Sequence, residues 1–390
     1  MRILAIIASA DREGGGPIEA VIQLGATLKR RGHTQELLTL DLPDAPYLRD
    51  FPMRVHAMGA RPRGGRLGRW ARLSPRALAW ARAHVRDYDA VIVEGLWNFS
   101  TMVARYALAG SGTPYLVYTH GMLDPWFKRR YPAKHAAKQL LWLVNEGPLL
   151  RKAAAVAFTC EQERVLARQS FVPYRARERV VRFGTADAPP ATSAQIAAYE
   201  ATVPALGSRP YLLYLSRIHE KKGCDLLVEA FGTVAASHPD IDLVIAGPDQ
   251  TGLKAGLIAT AERLGIAARI HWPGMIVGDA KWGAFRGCEA FILPSHQENF
   301  GIVVAEAMAC AKPVLISDQV NIWREVDEAG AGLIAPDTLA GTCDLLTRFL
   351  ALDAASREAM GAHARAAFVD KFEVEAAADD LIALLESFDS

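Results

Sequence analysis

"AFILPSHQENFGIVVAEAMACAKPVLIS", residues 290–317, decides the fold. It opens on a short apolar run (290–294) and closes on another (313–317). Between them, Ile302 to Ala311 is apolar or small throughout except for Glu306. Two buried strands joined by such a helix make a parallel crossover. A helix this apolar is covered on most sides, and a carboxylate inside it is costly unless something hydrogen-bonds to it. A second carboxylate, Glu298, precedes it beside Phe300 and Gly301.

The same grammar runs outward in both directions. Apolar runs at 2–8, 36–40, 90–95, 115–120, 155–159 and 179–183 alternate with amphipathic stretches such as 18–32. After an Ala- and Pro-rich lapse at 186–209, read as a linker with a short helix, the runs resume at 211–216, 242–247 and 269–272 and lead into the opening stretch. The last sixty residues read as wholly helical. Continuous apolar strands separated by helices predict parallel sheets covered on both faces. At 390 residues the chain is too long for one ordinary core. The expectation is α/β, two facing Rossmann-like doubly wound domains over 1–190 and 191–371, with a helix at 372–390 completing the first. In such sheets ligands sit beyond the carboxyl ends of the strands, so a cleft between the domains is the expected site.

Composition removes several function classes. A net charge of +1 with 51% hydrophobic residues gives no global signal for nucleic acid. Five scattered cysteines with no CxxC pair argue against a disulfide framework or a zinc site and for a reducing compartment. The short apolar opening reads as a buried strand, not a signal peptide, and no stretch approaches the ~20 apolar residues that span a bilayer. The expected location is cytoplasmic. One stretch qualifies this: from Arg49 to Arg86 there are ten arginines and a single acid, Asp50, interleaved with Trp70 and Trp80. It reads either as a solvated face or as a segment that meets anionic lipid on the inner face of the plasma membrane.

Three motifs carry chemistry. Gly14, Gly15 and Gly16 lie between the first strand and a helix starting near Pro17. A glycine turn there lets backbone amides approach an anion, although a plain tight turn reads equally well. It is neither GxGxxG nor a P-loop. "SRIHEKKG" (216–223) sets Arg217 and Lys222 after a strand, where two cations suit a diphosphate. The amides of Gly301, Ile302 and Val303 open a helix and form a third anion site. Carboxylates on either side of it, Glu298 and Glu306, suit a ligand with hydroxyls flanking phosphate, as in a nucleoside diphosphate sugar.

The E-x7-E of Glu298 and Glu306, the preceding "PSHQENFG", the Arg217-x4-Lys222-Gly223 run and the N-terminal glycine turn resemble a retaining glycosyltransferase of family four, with the GT-B fold. "THGMLDPW" (119–126) resembles a variant found in bacterial polysaccharide glycosyltransferases. That resemblance implies roles. Arg217 and Lys222 would neutralise the diphosphate of a UDP- or GDP-sugar, so that neither metal nor cofactor is required. Glu298 would contact the donor sugar, and Glu306 the ribose. Phe300, Gly301, Ile302 and Val303 would hold phosphate and sugar through their amides, with Gly15 and Gly16 approaching from the other domain. His120 would reach the reacting carbon. The acceptor would be a saccharide, lipid-linked, in surface or exopolysaccharide assembly. Two rival readings are a nucleotide-sugar epimerase of the same fold and a non-catalytic nucleotide-sugar-binding protein.

Overall fold

The continuous apolar runs become the strands of two parallel sheets. The computed structural model describes residues 1–12, 16–61 and 73–388, and the chain divides into two units, Met1–Gly184 with Val374–Ser390, and Thr185–Glu373. Unit 1 holds β1 (Arg2–Ile6), β2 (Thr34–Thr39), β3 (Val55–Ala57), β4 (Ala90–Glu94), β5 (Tyr115–Tyr118), β6 (Ala155–Phe158) and β7 (Glu178–Val180). Their order in the sheet is β3-β2-β1-β4-β5-β6-β7. Unit 2 holds β8 (Tyr211–Leu215), β9 (Asp242–Ala246), β10 (Ile270–Gly274), β11 (Ala290–Leu293), β12 (Val314–Ser317) and β13 (Gly332–Ala335), in the order β10-β9-β8-β11-β12-β13.

Each sheet begins at its middle, grows outward, then jumps back and grows the other way. The reversals fall between β1 and β4 and between β8 and β11. Loops leaving neighbouring strands there splay to opposite faces, and the crevice left beyond the strand ends is where doubly wound sheets bind ligands. The stretch that opened the sequence reading is β11, the helix Ile302–Ala309 and β12, with Phe291 level with Val314. All four residues of β11 and of β12 are buried.

Unit 1 is discontinuous. The helix Val374–Glu386 returns to it and buries Leu381 and Leu385 in a cluster with Ile3, Ala5, Ile92 and Leu116. Each leucine so buried contributes roughly 1.5–3 kcal/mol. The two crossings between units lie side by side, for Thr185 bridges to Glu373 and its amide donates to the Phe372 carbonyl at 3.0 Å.

Three sequence expectations change. The boundary falls at Gly184/Thr185, before the Ala-Pro stretch, where this bridge commits the chain to unit 2. The last sixty residues are not wholly helical: Gly332–Ala335 is a sheet edge, too short to stand out between two helices. The arginine-rich region contributes the edge strand β3 and the helix Pro75–His84, and its partly buried Trp80 packs against the core with its ring tilted on His56 at 4.2 Å. Residues 62–72, with Trp70 and four of the arginines, lie outside the described residues. No described helix is long and apolar enough to cross a membrane.

Candidate active site

In unit 2, the loop after β8 and the loop after β11 flank the strand-order reversal and are tied together. Ser216 to His219 leads into a single turn, Glu220–Lys222, and His219 Nδ1 accepts the Lys221 amide at 3.1 Å. Gly223 then turns left-handed at φ 65°, and a Cβ there would stand 2.0 Å from the Pro294 carbonyl oxygen at the end of β11. Only glycine lets the two loops close. The His296 amide also donates to the Lys221 carbonyl at 2.8 Å.

This closure buries Lys222 to 6% exposure and aims its ammonium at the Glu298 carboxylate, with which it forms an ion pair. Burial alone would lift the Glu298 carboxyl, but Lys222 outweighs it and holds the group below the usual carboxylate range. The backbone of Glu298 is pinned as well. Its amide donates to Gln319, its carbonyl accepts from Asn321, and Oε1 accepts the Asn299 amide at 3.1 Å. Glu298 thus neutralises the Lys222 ammonium within unit 2. Arg217 is exposed and donates to Gln250 at 3.3 Å.

Behind Glu298, Gly301 takes φ 73° and opens the helix Ile302–Ala309, which has no side-chain cap and no acid in its first turn. Its leading amides, Ile302 and Val303 among them, are the bare end on which an anion is favoured. Phe300 itself is buried and packs edge-on against Phe372 at 5.7 Å, so its ring serves the core and only its backbone lies at the loop. Glu306 is buried as expected, and Lys281 reaches its Oε1 at 2.7 Å from the helix Gly278–Gly287. Lys281 lies 25 positions away in sequence, and no local pattern marks it.

In unit 1, His120 stands just past β5 at φ 48°, a conformation rare for residues with a side chain and several-fold enriched for histidine. Its side chain is 7% exposed and its Nε2 lies 2.5 Å from Glu94 Oε2 at the end of β4. Burial pulls the imidazole pKa down, but the hydrogen bond to Glu94 and the charge of Glu163 outweigh that and leave it raised above 6.5. Tyr118 stacks on one face of the ring and Phe183 meets it edge-on. Glu163, also buried, accepts the Thr119 hydroxyl, the Gly121 amide, and both the amide and the hydroxyl of Thr159, at 2.6 to 2.8 Å. It clamps the ends of β5 and β6 and so fixes the turn that carries His120. Neither Glu94 nor Glu163 was singled out in sequence, although an acid closing the apolar run "AVIVEG" was a usable sign. Asp124 caps a turn, accepting the Trp126 amide at 2.7 Å.

Gly16 is the exposed first residue of the helix Gly16–Arg30, while Gly14 and Gly15 lie outside the described residues. Beside this helix entry a cavity of about 610 Å³ is lined by Asp11, Arg12, Pro46, Tyr47, Asp50 and Phe51. The Tyr47 hydroxyl donates to Asp41, which also accepts the Ser9 hydroxyl and the Ala10 amide. No group of three or more metal-ligating side chains among the described residues could hold a metal ion.

Two family models match the chain almost end to end: a glycosyl transferase 4-like domain over residues 15–184 and glycosyl transferases group 1 over residues 200–367. The chain belongs to the family-four glycosyltransferases. Among curated proteins, this glycosyltransferase is 31% identical over 180 residues to the D-inositol 3-phosphate glycosyltransferase of Segniliparus rotundus, across 45% of this chain and 39% of that one. It is 29% identical over 192 residues to the one from Jonesia denitrificans, across 47% and 45%. The matched stretches span less than half of either relative. The fold is GT-B. Anabaena HepE in complex with UDP and glucose superposes with a TM-score of 0.76 at 19% identity, over 99% of this chain and 100% of that one. Sucrose-phosphate synthase from Thermosynechococcus elongatus does so at 0.78 and 22%, over 99% and 98%.

Proposed function

We propose that this glycosyltransferase moves a hexose, with retention at the anomeric carbon, from a UDP- or GDP-sugar to a lipid-linked saccharide in surface polysaccharide assembly. The observation that carries the donor half is the Lys222–Glu298 pair beside the uncapped end of Ile302–Ala309. An arriving diphosphate competes with Glu298 for the Lys222 ammonium and takes the free amides of the helix end. Glu298, released, accepts hydroxyls of the donor sugar. Arg217 and Lys222 then stabilise the charge that grows on the leaving diphosphate, the place a metal fills in other transferases. Turnover is expected to persist in EDTA.

For retention, the bond from the anomeric carbon to phosphate breaks as the acceptor oxygen adds on the same face. The leaving phosphate oxygen takes the acceptor proton. His120 and Glu94 would act near the reacting carbon, and the hydroxyl- and carboxylate-lined cavity at Tyr47 suits a saccharide acceptor. HepE, of the same fold, binds UDP and glucose, which favours a uridine donor here.

A thermal-shift series with UDP-, GDP- and ADP-sugars tests the donor. At a hundred times its Kd the right one stabilises by about 2.7 kcal/mol; no shift with any of them removes the proposal. Release of free nucleoside diphosphate only when acceptor is present separates transfer from epimerisation and from mere binding.

A further inference from the structure

The helix Pro132–Leu141 of unit 1 is built inside out. None of its ten residues is buried, and it runs on through the turn Trp142–Glu146 into Gly147–Lys152. Ala133, Ala136, Ala137, Leu140, Leu141 and Val144 fall at i, i+3, i+4, i+7, i+8 and i+11, the spacing of one apolar helix face. All six are exposed, with Leu140 at 67% and Val144 at 61%, and Leu143 beside them at 50%. The polar side is the one that faces protein. His135 stacks on Phe171, Lys138 lies over Trp97 at 4.7 Å, and Gln139 exchanges hydrogen bonds with the Val172 backbone. Trp142, Asn145 and Glu146 are buried. These contacts fix which face looks outward, so the stripe cannot turn inward without breaking them.

The charge around the stripe is of one sign. From Pro125 to Asn145 there are five cations and no acid. Lys128, Arg129, Arg130 and Lys134 are exposed, and Arg130 and Lys134 gather over the Tyr131 ring. A second copy meeting this face across a two-fold axis would set these cations against their own kind. A handful of side chains is also far short of the ~800 Å² per partner that a stable interface buries. An anionic lipid surface satisfies both features, taking the apolar stripe into the acyl boundary and the cations onto the headgroups.

We propose that Pro132–Glu146 is an in-plane membrane-docking element for anionic lipid. The proposal deepens the lipid-linked-acceptor reading above by naming the surface that brings unit 1 to such an acceptor. The full chain is co-sedimented with phosphatidylcholine vesicles and with phosphatidylglycerol-rich ones, in salt from about 0.1 to 1 M as the Debye length falls from ~10 to ~3 Å. Binding to the anionic vesicles alone, weakening with salt, is expected. Leu140→Ser/Leu141→Ser/Leu143→Ser/Val144→Ser lowers partitioning at least about tenfold, and Lys128→Gln/Arg129→Gln/Arg130→Gln/Lys134→Gln does likewise. Both sets belong to unit 1, outside the donor loops of unit 2, so any nucleotide-sugar thermal shift is expected to be unchanged in both. Equal binding to neutral vesicles, or undiminished binding by the serine variant, overturns the proposal. So does a solution dimer that the serine variant dissociates, which assigns the stripe to a second copy. Vesicle binding without any donor shift leaves this surface standing and removes the transferase reading instead.

Discussion

Lys222 and Glu298 are 76 residues apart in sequence and each explains the other's position. A buried ammonium left alone costs several kcal/mol, whereas two apolar replacements leave no charge behind. Glu298→Ala is therefore expected to destabilise the protein by about 3 kcal/mol, and the double variant Lys222→Met/Glu298→Leu by less. Urea unfolding decides it, and strictly additive losses would show the pair to be uncoupled. The second residue pair titrates. With its folded pKa raised above the unfolded 6.5, His120 contributes stability that is fully present below 6.5 and lost as pH rises through the raised value. In Glu94→Gln, where burial is opposed only by the charge of Glu163, the His120 midpoint should fall from its wild-type value, and the wild-type advantage in Tm should shrink with rising pH. Assigned histidine NMR titration checks this, and an unmoved midpoint would sink it. At this scale the sequence revealed residue types and spacing: Arg217, Lys222 and Glu298 were all visible. It did not reveal partners, because Lys281 on Glu306 and Glu94 on His120 meet only once separate strands and helices have been laid together.

At the scale of elements, the turn after β8 depends on one backbone conformation. Gly223→Ala combines φ 65° with a Cβ that would stand 2.0 Å from the Pro294 carbonyl oxygen. Backbone cannot yield as a flexible side chain does, so a loss of roughly 3 kcal/mol is expected in chemical denaturation. Donor binding should weaken together with stability, since the same turn buries Lys222. A stable variant with intact binding would mean that the loops have room to part. Elements with continuous apolar runs were legible: β4, β8, β9, β11 and β12 lie where the pattern put them, within a residue or so. Those without such runs were not. β3 is three half-buried residues, Val55, His56 and Ala57, inside a basic stretch, and β13 is four residues between helices. Their strand identity comes from the sheet edge they extend, Leu37 opposite Val55 and Val314 opposite Gly332.

Over the whole molecule, two sheets of the same plan account for the twice-repeated pattern read along the chain. Leu381 is wholly buried in the unit 1 core although it comes after all of unit 2. Leu381→Ala should cost about 2–5 kcal/mol, and hydrogen exchange should quicken in β1, β4 and β5 while β8, β11 and β12 keep their protection. Equal quickening in both sheets would mean that the units unfold as one. The returning helix also has a consequence for how the protein is made. A ribosome releases the first sheet long before the residues that cover one side of it. At about 5–20 residues per second, the nascent chain waits on the order of 10–40 s while unit 2 is translated. During that interval the surface awaiting Leu381 and Leu385 faces solvent bare, and it is then that a chaperone has something to hold.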